Sequence, residues 1–337
     1  STGPDAFTVA WSEDFDKLAS ASTDGGATWS SPEYLSQAMN SYGRVSLVPI
    51  GGDEIVAIFQ QFDGNSGQFS IQSRRSTDGG LTWNAIVPVS GDWSGSFGNG
   101  LYAFGVSPSA GTVIAVWSRG IGGFEDGLFA ATSSDSGDSW GAPITVAVPG
   151  GELRYFTVQP IDSTSAGIVW YYSGESTLLG YSTVAVGASL ASSPVVINPD
   201  TTAQYDRLPS LSVLGDVRVV TWNQYGETDA ANAYRMSASC DAGATWTTPS
   251  DLAIGEGLAF DDAASLVSGG VFTAFWGEYA PDFDSGSAFA SSTDLPCTAT
   301  AALAQTGGTT SPAALFVALA LLGVGAIVLV ARRRSAA

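Results

Sequence analysis

The chain has 337 residues, 45% of them hydrophobic, with 41 glycines and a formal charge of −20, a composition that fits a globular protein and excludes a disordered one. It contains no histidine, which excludes Ser-His and Cys-His catalysis and imidazole metal ligands. Without the three arginines of the C-terminal tail, nine basic residues face 32 acidic ones, a charge of −23 over residues 1–302, so nucleic acid and anionic membrane are poor partners.

In chain order, the first repeated feature is the string STDGGATWS at 22–30, which returns as STDGGLTWN at 76–84. Related strings run from Ser133 to Trp140 and from Ser239 to Trp246, with eroded copies at 181–190 and 291–299. Apolar, β-rich runs ending in an aromatic keep the same beat and place Trp or Phe at 11, 59, 117, 170, 222 and 276. Six marks imply six units, and the Gly, Ser, Thr, Val and aromatic composition between them implies strands. A period near 50 with about four strands per unit is that of a propeller blade. The expectation is therefore an all-β, six-bladed β-propeller of four-stranded antiparallel blades over residues 1–298. In the second unit, strands are expected at 44–50, 54–59, 68–76 and 85–90. The chain begins inside strand two of the first unit, so strand one of that blade is expected to be missing or supplied by another segment.

The S-x-D-x-G-x-T-W string resembles the Asp-box, the bacterial neuraminidase repeat, with Asp24, Asp78, Asp135 and Asp241 as its acids and Trp29, Trp83, Trp140 and Trp246 as its aromatics. The residues themselves suggest scaffold. Glycines at 25, 26, 79 and 80 permit positive φ in a tight hairpin, the carboxylate can accept turn N–H bonds, and Trp29 or Trp83 can cover the blade core.

In a four-stranded blade, the turns joining strands one to two and three to four share one end, where the boxes sit. The longer loops at 12–17, 60–68, 118–127, 171–176, 223–234 and 277–287 share the other, as functional loops on a rigid scaffold tend to do. Counting back 15 or 16 residues from each aromatic mark gives the entrance to strand one: Arg44, Tyr102, Arg154, Arg207 and Asp261. Arginines converging on one mouth suit a carboxylate or similar anion. The alternative is that each pairs with a neighbouring acid such as Asp206 or Glu152.

Asp-box propellers resemble sialidases, and that resemblance implies three arginines gripping the sialate carboxylate and a Tyr nucleophile activated by a Glu. By position Arg154 and Arg207 would serve in the clamp with Arg44 as a third, and Tyr225, Tyr279, Glu227 and Glu278 lie on the same face. The family's early Arg-Ile-Pro string is absent; Arg207-Leu208-Pro209 is the nearest match. Two functions stay open: an exo-sialidase, or a module that binds extracellular glycan or glycoprotein. No cofactor is required by either. The strings FDGNSG and PDFDSGS carry spaced oxygen ligands with glycine, open either as weak calcium sites or as solvated acidic turns.

Cys240 and Cys297 stand at equivalent corners of neighbouring units and are expected to form a disulfide in an oxidising exterior. Residues 299–312 read as a linker holding LAQTG at 303–307. Residues 313–331 are uncharged and long enough to cross a bilayer, and Arg332, Arg333 and Arg334 follow in a cytoplasmic tail of 332–337. These three parts together resemble a sortase sorting signal, which implies recognition through Leu303, Ala304, Thr306 and Gly307 and transfer of Thr306 to cell-wall peptidoglycan. The expected protein is a monomer displayed outside the cell, held by one helix before sorting. An outside-facing domain also implies a leader that is not part of this sequence.

Overall fold

In the computed structural model the described residues are 5–13, 16–36, 45–63, 65–91, 93–94, 103–121, 124–147, 152–173, 178–198, 205–225, 232–255, 259–268, 271–279, 286–294 and 297. Backbone contacts divide the chain into a unit of Ser1–Cys297 and one of Thr298–Ala337. The linker, sorting string, apolar span and tail expected from the sequence lie in the second unit, outside the described residues. Among the described residues, no helix is long and apolar enough to cross a membrane.

The first unit is all β, arranged as consecutive antiparallel sheets. Sheet one holds β1 (Phe7–Glu13), β2 (Asp16–Ser22) and β3 (Glu33–Ser36), and sheet two holds β4 (Ser46–Gly51), β5 (Glu54–Asp63), β6 (Gln68–Ser76), β7 (Val87–Pro88) and β8 (Trp93–Ser94). Sheet three holds β9 (Ala103–Val106), β10 (Val113–Ile121), β11 (Phe124–Ser133) and β12 (Ile144–Ala147), and sheet four β13 (Glu152–Pro160), β14 (Ser165–Ser173), β15 (Leu178–Ala185) and β16 (Val195–Asn198). Sheet five holds β17 (Tyr205–Leu214), β18 (Val217–Tyr225), β19 (Asn232–Ser239) and β20 (Ser250–Gly255), and sheet six β21 (Ala259–Ser268), β22 (Val271–Tyr279) and β23 (Gly286–Asp294). Within each sheet the strands pair in chain order, except that β8 pairs with β6. In sheet two the expected fourth strand at 85–90 is interrupted: Pro88 lacks the N–H a ladder needs, β7 pairs over two residues, and β8 resumes on the same edge of β6.

The cores lie between consecutive sheets. Ala19 and Leu35 of sheet one pack with Ile55, Ala57, Phe59 and Trp83 of sheet two. Val56, Ile58 and Phe62 pack with Val113, Ala115 and Trp117 of sheet three, and Val219 and Met236 of sheet five with Phe272 and Ala274 of sheet six. This is why the second strands read as unbroken apolar runs rather than alternating ones: both faces of β5, β10 and β14 are covered by a neighbouring sheet. The first strands touch in succession, β4 on β9, β9 on β13, β13 on β17 and β17 on β21. Sheets packed face to face with their first strands adjacent are consistent with a β-propeller.

The boxes build the turns that follow β2, β6, β11 and β19. Ser22 Oγ donates to Asp24 Oδ1 at 2.8 Å and accepts from the Gly26 N–H at 2.9 Å, while Asp24 accepts the Thr28 N–H at 2.8 Å and the Thr28 hydroxyl at 2.6 Å. The same pattern recurs at Asp78, Asp135 and Asp241. Gly25 and Gly26 have φ of 74° and 88°, as the tight turn requires. Three box tryptophans lean on the preceding sheet: Trp83 is buried, Trp140 Nε1 donates to Ser73 Oγ at 2.9 Å, and Trp246 meets Tyr181 edge-on at 5.4 Å. Trp29 corrects the expectation. It is 45% exposed and covers no core, its indole N–H being satisfied locally by the Gly26 carbonyl at 3.1 Å.

The eroded box of sheet four shows what the turn needs. Val186 N–H donates to Thr164 O at 2.8 Å, just as Gly79, Ser136 and Ala242 donate to the first hairpin of their own sheets and Gly25 donates to Asp5 O ahead of β1. The backbone staple survives without the Asp. The carboxylate is thus a local reinforcement, and it is a pH-sensitive one. Hydrogen bonds from the hydroxyls and amides of Thr28 and Thr245 hold the Asp24 and Asp241 carboxyls down to about 2. The Ser139 hydroxyl lowers Asp135, and at Asp78 burial pushes upward but the Thr82 donors outweigh it. Folded values below the unfolded ~3.9 mean that the box contribution is complete above about pH 4 and is lost as pH falls through about 2. Thermal melts should therefore drop between about pH 4 and 2, and an Asp24→Asn/Asp241→Asn variant should show a shallower drop. An unchanged acid slope in that variant would exclude the boxes as its source.

Candidate functional site

The strand directions place the expected site residues at one end of the sheets. β17 and β18 turn at Gly215 and Asp216 beside the sheet-five box, so Arg207, Tyr205 and Tyr225 lie at the opposite end, where Arg207 pairs with Asn223 and Tyr205 with Tyr225. By the same reasoning Arg154 of β13, and Glu278 and Tyr279 of β22, fall at the end away from the boxes. There Glu278 pairs with Phe260, Tyr279 with Ala259 and Asp261 with Gly277. Arg44, Tyr102 and Glu227 lie outside the described residues.

One local feature was not expected from the sequence. In three consecutive sheets the first strand carries a register shift at this end: between Leu153 and Tyr155, where Arg154 is the extra residue, between Arg207 and Ser210, and between Asp261 and Ala264. A bulge turns the strand and re-aims the residues beside it, and bulges concentrate next to functional sites. Here they coincide with three of the positions found by counting back from the aromatic marks.

Four of the described basic residues hold strands and turns together. Arg74 donates to the carbonyls of Asn84, Tyr34 and Trp83 at 2.5, 2.6 and 2.7 Å, tying sheet two to sheet one. Arg75 bridges Glu54 of its own sheet at 2.9 Å and Asp138 of the sheet-three box at 2.6 Å. Arg218 is buried and donates to the Gly215 and Val217 carbonyls. Arg235 donates to Asp251 and to Gln224, both at 2.7 Å. Lys17, Arg119, Arg154 and Arg207 stand on strand ends opposite the boxes.

Two of these were passed over in the sequence because their strings read only as loops. Lys17 is fully buried on β2, with Nζ donating to the exposed Ser12 at 2.8 Å, and burial lowers its amine to about 8. Arg119, near the end of β10, sits 6.0 Å from the centre of the Phe129 ring. Polar side chains continue the same end of sheet five, where Asn223, Gln224 and Asn232 are buried and Tyr225 is half-buried. Of the two calcium-like strings, PDFDSGS falls largely outside the described residues. In FDGNSG the Asp63 carboxylate accepts the Asn65 N–H at 2.9 Å and the Ser66 hydroxyl at 2.8 Å, which is a turn cap. Among the described residues, no group of three Cys, Asp or Glu is placed to hold a metal. Cys240 and Cys297 are joined by a disulfide that ties the sheet-five box to the end of sheet six.

No family model and no curated protein matches the chain. Solved structures do. A polysaccharide lyase, ulvan lyase, bound to -[GlcA(1-4)Rha3S]-, aligns with a TM-score of 0.50 at 11% identity over 82% of this chain and 69% of that one. An α-L-arabinofuranosidase of Fusarium graminearum with an iminosugar inhibitor gives 0.47 at 14% identity over 86% and 90%. The NanB sialidase of Streptococcus pneumoniae gives 0.48 at 10% identity over 80% and 62%. At such identities the likeness bears on fold alone, and the fold is all-β, built of antiparallel, mainly four-stranded sheets, consistent with a β-propeller.

Proposed function

We propose that the chain is a cell-surface, six-bladed β-propeller, anchored through its LAQTG string by a sortase, whose face opposite the boxes binds acidic extracellular glycans or glycoproteins. The observation that carries the reading is the coincidence of the three first-strand bulges with Arg154, Arg207 and Asp261, at the end of the sheets away from the boxes. A guanidinium fork suits a sugar carboxylate, and in a domain of charge −23 such recognition has to be local and short-range, against a net field that repels extended polyanions. Anchoring is supported by the order of sorting string, apolar span and arginines in the sequence.

Binding of the purified protein to an array of sialylated, uronate-containing and neutral glycans tests the reading. Arg154→Ala and Arg207→Ala should each weaken binding to acidic glycans at least tenfold, about 1.4 kcal/mol, and leave the melting temperature within a few degrees of the parent. Equal binding to neutral glycans, or indifference to both substitutions, would remove the carboxylate from the account.

A second reading, a retaining exo-sialidase, is favoured by the presence of Tyr225, Glu278 and Tyr279 at the same end as the arginines. In it the arginines hold the sialate carboxylate, and a glutamate takes the proton of a tyrosine whose oxygen attacks the anomeric carbon as the bond to the aglycone oxygen breaks. The aglycone leaves with a proton from a general acid, and water then hydrolyses the tyrosyl intermediate. Release of a fluorogenic aglycone from a sialoside, abolished by Arg207→Ala, supports the enzyme. Array binding without turnover supports the module.

A further inference from the structure

Sheet one holds a polar row, at the end away from the boxes, that neither function proposed above uses. Its members stand on three neighbouring strands. Ser12 of β1 pairs in the ladder with Lys17 of β2, and Lys17 pairs in turn with Ser36 of β3. Lys17 Nζ lies 2.8 Å from Ser12 Oγ. The serine is exposed on β1, the edge strand of this sheet among the described residues, whereas the lysine behind it is fully buried. Ser36 is buried too, and its hydroxyl meets no hydrogen-bond partner among the described residues.

The fold explains why this amine is held out of water. Side chains alternate along a strand, so Ser12 and Lys17 share a face with Ala10 and Ala19, two residues away. Those alanines pack on Ile55, Ala57 and Phe59 of sheet two, and Thr8 of the same face donates to the Gly79 carbonyl at 2.6 Å. The flanking described acids, Glu13 and Asp16, pair with each other on the next rung and so take the opposite face, where the Trp11 indole donates to Glu13 Oε2 at 3.4 Å. An apolar setting penalises the charged amine, which is why Lys17 falls to about 8. A lysine lowered in this way by burial suits proton transfer near neutral pH. Ser12 and Lys17 each take part in further interactions, and the chemistry needs only the contact between them.

We propose that Ser12 is an acyl-accepting nucleophile with Lys17 as its general base, a serine–lysine pair that hydrolyses small carboxylic esters such as O-acetyl groups on a saccharide. The hydroxyl proton passes to Lys17 Nζ as Ser12 Oγ bonds to the ester carbonyl carbon. The tetrahedral species then expels the alcohol, which leaves with that proton from Lys17. Water attacks the acyl-serine and gives its proton to Lys17, and the acid departs as Ser12 Oγ takes the proton back. The sum is one ester and one water giving one acid and one alcohol. Exposure divides the roles, since a carbonyl can reach Ser12 but not the buried Nζ. Ser36, opposite the lysine in the ladder, is the third group, which orients the base. The saccharide carrier rests on the glycan-binding function proposed above; the ester chemistry does not.

The test incubates the full chain with p-nitrophenyl acetate and, in parallel, with an O-acetylated sialyl-oligosaccharide, and maps a fluorophosphonate label by mass spectrometry. The parent should release product well beyond one equivalent and carry the label on Ser12. Ser12→Ala should lose both turnover and label while keeping its melting temperature within a few degrees, because the side chain is exposed. Lys17→Met, of similar length but without a base, should lower turnover roughly a hundredfold or more. Lys17→Arg keeps the charge but cannot give up its proton, and should be as inactive. Ser36→Ala should lower kcat several-fold with KM unchanged. Where a Lys17 variant fails to fold, the Ser12 label and its loss in Ser12→Ala decide the matter. A label on another residue, a parent without turnover, or Ser12→Ala at the parental rate overturns the inference, and a folded Lys17→Met at the parental rate removes the lysine as base. Turnover of p-nitrophenyl acetate with no acetate released from the oligosaccharide overturns the saccharide carrier. Glycan binding is read separately on the array with Arg154→Ala and Arg207→Ala, so its failure would leave p-nitrophenyl acetate turnover standing.

Discussion

Reduction of the Cys240–Cys297 bond is expected to lower the unfolding free energy by about 4 kcal/mol, the chain-entropy value for a loop of this length. The bond spans 57 positions and encloses β20 and all of β21, β22 and β23, so it closes sheet six into a covalent loop fastened to the sheet-five box. Sheet six is the sheet the bond secures, and among the described residues it has three strands where sheets three, four and five have four. Denaturant titration with and without a phosphine reductant, and of a Cys240→Ser/Cys297→Ser variant, reads the effect. Amide exchange should locate the loss first in β22 and β23. A change below about 1 kcal/mol would mean that sheet six is held by its core contacts to Val219 and Met236 rather than by the bond. The consequence for function is direct, since Glu278 and Tyr279 lie on β22 and share the bulged end with Arg207.

The spacing of the box aspartates was a reliable ruler because a rigid hairpin repeats only where a rigid sheet repeats. It placed β5 and β6 within a few residues of their observed limits. Counting back from Trp170 and Trp222 found Arg154 and Arg207, since the first and second strands are joined by short turns that tolerate little change in length. The bulges themselves left no trace in the pattern. A single inserted residue in a run such as ELRYFTVQP changes neither composition nor apolar count, and it appears only once Leu153 and Tyr155 are seen to pair with adjacent partners. Arg119 was hidden for a different reason. SRGIGGFEDG reads as a glycine-rich loop, and only the folded ladder brings Phe129, ten residues on, beside the guanidinium. Nor could the sequence give Arg75 its partners, because its second acid, Asp138, lies 63 residues away in the next sheet. Trp29 marks the limit of repeat reasoning: a nearly identical string gives a Trp83 buried against Ala19 and Leu35 of sheet one and an exposed indole at Trp29.

Two glycines of sheet five should separate what the boxes contribute by shape from what they contribute by backbone freedom. Gly215 and Gly243 occupy the two turns at the box end and both have positive φ, 57° and 96°. At Gly215 a Cβ meets nothing within 4 Å, so Gly215→Ala should cost only the backbone penalty, about 1 kcal/mol. At Gly243 a Cβ would lie 2.3 Å from Tyr181 Cε1. That ring cannot yield easily: it is buried, it meets Trp246 on one side, and its hydroxyl lies 3.0 Å from the Cβ position of Gly167 on another. Gly243→Ala should therefore add an overpacking cost of about 1–3 kcal/mol and lose roughly 3 kcal/mol in all. Urea unfolding of both variants measures the difference, and trimming the ring with Tyr181→Leu should recover part of it in the double variant, as expected for residues in contact. Gly80 against Thr8 and Gly137 against Val56 make the same approach to the preceding sheet. If Gly243→Ala costs no more than Gly215→Ala, these approaches do not hold the sheets together. If it costs several times more, each box fixes the angle between its sheet and the one before, and with it the separation of Arg154 from Arg207 at the far end.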